Sequence, residues 1–318
     1  MKPFRAVAVV AAIAVYGQIV LGGVVRITGS GLGCPDWPAC QGRIIPDFTN
    51  SHVVIEYSHR LVGSAAGLLM LAVAIYAVAL YVRQPSAAMP RGLMLASVAG
   101  VGLIVLQGIL GGITVLMGNS PYTVAIHLGN ALLVLGTAVL VTLWATRVLR
   151  PGIGADRVTA TSTSSRALYV GLGAAFLIVV SGAYVVGSGA GASCPGWPAC
   201  GATAGSAGSD IHFLHRIVVL GAMIAILRAV QYAHRRWRGT AIATVGYLVA
   251  LAFLLEVGVG AAQVLTGLPQ VLRASHLAIA TVVWTGVVIL AGAYWLETRP
   301  EGAVAPLPSR RTTEAAVG

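Results

Sequence analysis

The chain has 318 residues, of which 57% are hydrophobic and only 9% are charged, and its mean hydropathy is +0.87. A soluble globular fold is excluded, because so few polar side chains cannot cover so much apolar surface. We therefore predict an integral protein of the cell membrane, embedded in the lipid bilayer. The formal net charge of +11 does not indicate a nucleic-acid partner, since the basic residues are concentrated in alternate connections between apolar segments.

Eight apolar segments follow one another along the chain. Each has about 20 residues or more, the length that a helix needs to cross a bilayer, so we predict eight transmembrane α-helices. We expect the first to be retained rather than removed as a signal peptide, because no convincing cleavage site precedes Arg26. The segments lie near residues 6–25, 54–82, 92–116, 123–146, 167–187, 211–232, 240–266 and 272–296.

The basic residues predict the orientation of these helices. They precede the first segment, follow the eighth, and occupy the connections after the second, fourth and sixth. Because positive charge stays on the cytoplasmic side, we expect both termini to be cytoplasmic and the other connections to face outward. The residues that set this pattern are Lys2, Arg5, Arg83, Arg91, Arg147, Arg150, Arg157, Arg166, Arg228, Arg235, Arg236, Arg238, Arg299, Arg310 and Arg311.

Two cysteine motifs indicate that the chain is an internal repeat. The first, Cys34-Pro-Asp-Trp-Pro-Ala-Cys40, returns as Cys194-Pro-Gly-Trp-Pro-Ala-Cys200, each after an apolar segment and before a His-Arg pair. The fold class that we predict is an all-α integral membrane protein with two tandem, pseudo-symmetric four-helix bundles. The bundles would comprise residues 1–150 and 151–299, with a boundary rich in Pro, Gly, Ser and Thr, and residues 300–318 would form a cytoplasmic tail.

Four histidines occupy matched positions in the two halves, each near the outer end of an even-numbered helix. They are His59 and His127 in the first half and His215 and His276 in the second. Imidazoles that face one another across a four-helix bundle suit bis-histidine ligation of heme iron, so all four are predicted metal ligands. The alternative for each is a hydrogen-bonded packing role. A zinc site is disfavoured, because only Glu56 lies at a usual ligand spacing.

Glu56 lies three residues before His59, which places both side chains on one face of the helix. A buried carboxylate beside a heme could accept or relay protons in an oxidation, and we predict this catalytic role for Glu56. The alternative is an ion pair with Arg60 or Arg26. The counterpart of Glu56 in the second half is His212, so we expect the two halves to have different duties.

Three other histidines receive no ligand role. His212 and His52 lack clean repeat partners, and His234 lies in a basic cytoplasmic connection. Glu256, inside the seventh apolar segment, matches Gln107 of the first half and is a weaker candidate for the same chemistry as Glu56.

The cysteine pairs lie in outward connections, on the oxidising side of a bacterial-type membrane, where disulfides are expected. Cys194–Cys200 is predicted to brace its loop, whereas Cys34–Cys40 is open to either bracing or thiol exchange. Heme propionates near the outer face would need cationic partners. The candidates are Arg26, Arg60, Arg216 and Arg273, for which topological or structural pairing is the alternative.

Taken together, these motifs resemble those of bacterial heme A synthases, of the type with paired cysteines in the outer loops. The resemblance rests on Gly33-Cys34-Pro-Asp-Trp-Pro-Ala-Cys40, on Glu56-Tyr-Ser-His-Arg60 opening the second helix, and on single histidines opening the fourth, sixth and eighth. It covers about the whole membrane region. The resemblance implies oxidation of the ring methyl of heme O to a formyl group by successive hydroxylations, which yields heme A for terminal oxidases.

The resemblance also implies a division of labour between the halves. His215 and His276 would hold a resident heme b, and His59 and His127 would hold the heme O substrate, with Glu56 important for catalysis. The Cys34–Cys40 disulfide would lie close to the substrate. The resemblance leaves the electron acceptor unknown, and the pathway suggests a heme O synthase as partner.

Other functions remain open on sequence grounds. A two-heme, bis-histidine electron-transfer cytochrome would also need four ligands, although an unmatched Glu56 speaks against it. A membrane thiol oxidoreductase would have little need of four equally deep histidines. A transporter is disfavoured because no broken helix carries a central charge.

Overall fold

The computed structural model describes residues 2–83, 91–146 and 162–298. Within these ranges the chain forms eight α-helices that are long and apolar enough to cross a membrane. The predicted multi-pass, all-α membrane fold is therefore confirmed. The helices are α1 (Lys2–Ile27), α2 (Ser51–Arg83), α3 (Arg91–Leu116), α4 (Pro121–Thr146), α5 (Ser162–Gly187), α6 (Ala207–Arg236), α7 (Ala241–Leu265) and α8 (Gln270–Thr298).

The odd-numbered helices all end in the same way. Two residues beyond each helix a glycine adopts a left-handed conformation, with φ of 62–78°, which most other residues reach only with strain. After α1 and α3 the next amide donates to a carbonyl five residues back, from Ser30 to Val25 and from Asn119 to Thr114, as in a Schellman motif. The glycines are Gly29, Gly118, Gly189 and Gly267. Because these glycines end the odd-numbered helices, each of those helices stays close to the length of its predicted apolar segment.

Helices α1 to α4 pack as one ring, in which each helix contacts the next and α4 returns to α1. Helices α5 to α8 form a second ring with the same order of neighbours. The two rings meet through α4 and α8, flanked by α1 against α8 and α5 against α4. This arrangement explains why α4 and α8 are the most deeply buried helices of the described chain.

Specific contacts join the two rings at their centre. The Trp284 indole on α8 donates to the carbonyl of Leu132 on α4 at 3.0 Å, and its ring packs on Phe176 of α5 with centroids 5.8 Å apart. The Tyr16 hydroxyl on α1 donates to the carbonyl of Ala278 on α8 at 3.2 Å. A buried Trp that finds an acceptor gives both apolar contact and a directional bond, which fixes how the halves pack.

Some predictions fall outside the described residues. The boundary between the halves at residues 150–151 and the tail at 300–318 lie there, as do six of the orientation-setting arginines. The two-domain division therefore stays a prediction, although the two rings match its order of helices.

Candidate functional site

The four predicted ligand histidines line one continuous cavity of about 690 Å³. Each lies about two turns from the N-terminal end of an even-numbered helix, so all four lie at similar depth. His59 and His127 are close enough for their charges to interact, and so are His215 and His276. The fold therefore brings the histidines together in the two pairs that the sequence predicted.

Each of these imidazoles packs against a glycine on the preceding odd-numbered helix. A Cβ built on any of the four glycines would approach the Cε1 atom of the ring more closely than most Cβ contacts allow. Glycine thus lets each ring lie directly on a neighbouring helix backbone. The pairs, with the distance from the added Cβ, are Gly22 with His59 (3.1 Å), Gly111 with His127 (3.1 Å), Gly182 with His215 (3.3 Å) and Gly260 with His276 (3.0 Å).

In the first half, both histidines have side-chain amides as neighbours. Nε2 of Gln18 lies 2.9 Å from Nδ1 of His59 and also donates to the His59 carbonyl at 2.9 Å. Nε2 of Gln107 lies 3.2 Å from both ring nitrogens of His127. Asn130 donates to Oε1 of Gln107 at 2.8 Å and so holds that amide in place. Both partners in this half are neutral.

In the second half, the partners are a hydroxyl and a carboxyl group. Oγ of Ser181 lies 2.8 Å from Nδ1 of His215. Oε1 of Glu256 lies 2.9 Å from Nδ1 of His276, and Glu256 is only 5% exposed. Sequence analysis ranked Glu256 as a weak candidate, because it could not show that this carboxyl group touches a ligand histidine.

Glu56 is 3% exposed and lines the same cavity as His59. Its Oε1 accepts a hydrogen bond from Arg60 at 2.8 Å, and its Oε2 lies 3.5 Å from the backbone N–H of Cys34. The ion pair that was the alternative to catalysis is thus present. A single buried carboxylate links the cavity, the second helix and the first cysteine loop.

Both predicted disulfides are formed, Cys34–Cys40 and Cys194–Cys200. An arginine clamps each loop from the following helix. Arg60 donates to the carbonyls of Cys34, Asp36 and Ala39, and Arg216 donates to those of Cys194, Gly196 and Pro198, at 2.7–2.9 Å. The guanidinium groups of Arg60 and Arg216 therefore hold the loops.

The first cysteine loop also covers the cavity. Trp37 and Pro38 belong to its lining, and the Trp37 ring lies over α3, where a Cβ added to Gly112 would come within 2.7 Å of the indole. The matching Trp197 does not line the cavity, although the two indoles are exposed to a similar extent, 43% for Trp37 and 49% for Trp197. Both cysteine loops are held by an arginine of the following helix, but only the tryptophan of the first loop lines the cavity.

Arg26 and Arg273 line the cavity from opposite halves, on α1 and α8. They are near enough for their positive charges to interact. Arg26 donates to the carbonyl of Val186 at 3.1 Å, and among the described residues neither arginine forms an ion pair with a carboxylate. Two such cations at one cavity favour an anionic group between them.

His212 is a cavity residue that sequence analysis set aside. It is 7% exposed, lines the cavity, and its Nδ1 has no hydrogen-bond partner. Its place one turn before His215 repeats that of Glu56 before His59, which was the signal that could have identified it. By contrast, His52 and His234 bind Ser30 and Tyr247 respectively, away from the cavity.

The chain matches known proteins over most of its length. The sequence model of a family described as cytochrome oxidase assembly protein matches residues 5–288. A heme A synthase of Alkalihalophilus pseudofirmus is 30% identical over 87% of this chain and 90% of its own length. One from Exiguobacterium is 32% identical over 78% of this chain and 79% of its own, and one from Geobacillus kaustophilus is 29% identical over 80% of each.

The chain belongs to the heme A synthase family. The resemblance noted from the motifs is thereby confirmed, and the family is one of heme-dependent membrane oxidoreductases. In the part of the chain that the structure describes, no cluster of three or more His, Cys, Asp or Glu side chains could hold a bare metal ion. The histidines form two pairs instead, as the two axial positions of a heme iron require.

The residues present fit a heme in other respects. The cavity volume lies within the range of small-molecule and cofactor sites, and most of its walls are apolar, with Val15, Ile19 and Leu128 among them. Gln18 Oε1 and His212 Nδ1 are buried and without partners, so a polar group of a bound molecule could satisfy them. The arginines of the cavity supply charge for propionates.

Proposed function

We propose that this protein oxidises the ring methyl group of heme O to a formyl group, giving heme A for terminal oxidases. The observation that carries the proposal is the arrangement of four histidines as two pairs in one cavity, with Glu56, held by Arg60, on the cavity wall in the first half. The family membership supports the substrate and product. With water as the source of the formyl oxygen, the change from methyl to aldehyde removes four electrons and releases four protons, and the electrons pass to an external acceptor.

The first half would hold the substrate. His59 and His127 would bind the iron of heme O, with the amides of Gln18 and Gln107 orienting their rings. Trp37 and Pro38 of the first loop line the cavity and would lie against the substrate. Arg26 and Arg273 are the propionate partners that the geometry favours, since Arg60 and Arg216 are bound to loop carbonyls.

Glu56 would receive protons released at the reacting methyl. It is the carboxylate of the first half that lines the cavity, and Arg60 holds it in a fixed position at 2.8 Å. A positioned general base commonly contributes about 10²–10⁴-fold to a rate.

The second half would hold a resident heme b between His215 and His276. A bound heme b supplies a one-electron redox centre. Both ligand pairs lie in a single cavity, so the distance for electron transfer from the substrate heme to the resident heme would be short. The final electron acceptor is an external molecule that nothing in the chain identifies.

The orientation follows the basic residues. Both termini would be cytoplasmic, and the histidine pairs and disulfide loops would lie toward the outer face of the cell membrane. A heme O synthase is the partner that would deliver the substrate. Undiminished heme A output when the two enzymes are uncoupled, with no co-purification in mild detergent, would argue against that partnership.

Chromatography of extracted hemes tests the function. The full chain is produced with and without a heme O synthase, and its hemes are separated and compared with the reduced-minus-oxidised spectrum. We expect heme b alone without the synthase, and heme A or a hydroxylated heme O with it. Two equivalents of heme b in both preparations would instead identify an electron-transfer cytochrome.

A further inference from the structure

Glu256 and Gln107 occupy the same place in the two halves. Both lie one turn before the glycine that supports a ligand histidine, and one offset relates all three positions: 256−107, 260−111 and 276−127 each equal 149. Gln107 contacts His127 at 3.2 Å, and Glu256 contacts His276 at 2.9 Å. The repeat thus keeps the geometry and exchanges a neutral amide for a carboxyl group.

Glu256 is buried on the cavity wall, where it is 5% exposed. Its Oε1 lies 2.9 Å from Nδ1 of His276, but no hydrogen bond joins the two atoms, and Nδ1 of His276 and Oε2 of Glu256 are both without a hydrogen-bond partner. No described arginine or lysine forms an ion pair with it. Burying a carboxyl group without a charged or polar partner costs free energy. An interaction with His276 would offset that cost for Glu256.

We infer that Glu256 is a positioning residue that lowers the reduction potential of the heme held by His215 and His276. This inference rests on the proposed function, in that a heme must occupy the second half. With Nε2 of His276 as the iron ligand, a small turn of the ring would bring Nδ1–H into a hydrogen bond with Oε1 of Glu256, which lies 2.9 Å from Nδ1. A carboxyl acceptor makes a ligand imidazole more basic than an amide neighbour does, and a more basic ligand stabilises ferric over ferrous iron.

The consequence is that hemes bound in the two halves would differ in reduction potential even though both halves use histidine ligands. All four predicted ligands are histidines, but among the residues that the structure describes only His276 has a carboxyl group within ion-pair distance of a ring nitrogen. The resident heme would therefore have a lower midpoint potential than the same heme with an amide at residue 256.

Spectroelectrochemical titration of Glu256→Gln tests the inference. The full-length protein is produced without a heme O synthase, so that only heme b is bound, and the midpoint potential is measured beside the wild type. We expect unchanged heme content, a higher midpoint potential, and altered g values of the low-spin ferric heme, since these report the basicity of the axial imidazole. A purely structural role would leave the potential and the g values unchanged and would overturn the inference.

A reciprocal variant keeps the inference testable if Glu256→Gln loses its heme. Gln107→Glu builds the same contact at His127, and it should lower the potential of a heme bound in the first half while the resident heme changes much less. An unchanged first-site potential would refute the inference. Absence of any heme ligated by His215 and His276 in the wild type would instead refute the proposed function.

Discussion

The Cε1 atom of His276 lies so close to the backbone of α7 that a Cβ added to Gly260 would come within 3.0 Å of it. The same relationship recurs at the other three ligand histidines. The site is therefore built from pairs of neighbouring helices, in which one supplies the imidazole and the other a bare backbone.

Gly260→Ala should impair heme binding in the second half. The added methyl must push the His276 ring or separate α7 from α8, at a cost of roughly 1–3 kcal/mol for such overpacking. Heme content per chain and thermal unfolding would measure the effect. Gly258→Ala is a matched control on the same helix, because no atom lies within 4 Å of its added Cβ. Equal heme content in both variants would contradict the role given to this glycine.

Glu56→Gln should abolish most product formation and leave heme b bound. The amide can still accept a hydrogen bond from Arg60 but cannot take up a proton, so we expect a rate lower by about 100-fold or more. Heme A formed per hour would be measured in membranes that contain a heme O synthase. Glu297→Gln is a matched control, because Glu297 also pairs with an arginine, Arg236, but lies outside the cavity. This variant should retain activity. Full activity of Glu56→Gln would rule out the proton-accepting role.

Removal of ligand histidines should have different effects in the two halves. His215→Ala and His276→Ala should strip the resident heme, because a single axial histidine holds heme weakly in a bis-histidine site. His59→Ala and His127→Ala should keep heme b and stop heme A formation. Pigment spectra and heme extraction of the four variants would show the split. Loss of heme b from all four would mean that the halves are not specialised.

Asp36 should make the first cysteine loop sensitive to acid. The backbone N–H groups of Gly42 and Gln41 donate to its carboxylate and lower the pKa of Asp36 below its ordinary value. A lowered pKa means that its stabilising effect is present above the pKa of the unfolded chain and is lost as the pH falls through that of the folded protein. The second loop has Gly196 at this position and lacks the effect.

The rate at which a phosphine reduces each disulfide would measure this sensitivity. Between neutral and acid pH, Cys34–Cys40 should become relatively easier to reduce, while Cys194–Cys200 changes less. Asp36→Asn should show the faster reduction at neutral pH and little further change on acidification. An identical pH response of the two disulfides in the wild type would contradict the assignment.

The sequence by itself determined the class of fold and most of the candidate site. A run of apolar residues that crosses a bilayer forms a helix, because unpaired backbone N–H and C=O groups are too costly in lipid. The eight apolar runs therefore predicted eight membrane-spanning helices. A motif that occurs twice identified the disulfides and the paired histidines, since matched residues in a repeat occupy matched places.

Only the tertiary structure decided which side chains surround those histidines. Gln18, Ser181 and Glu256 lie on helices other than those of the rings they contact, and helical periodicity reports the face of a residue but not its neighbour on another helix. The structure also showed that Arg60 and Arg216 clamp the loops, whereas Arg26 and Arg273 meet across the two halves. Such contacts depend on how helices pack against each other, which no local pattern in the chain records.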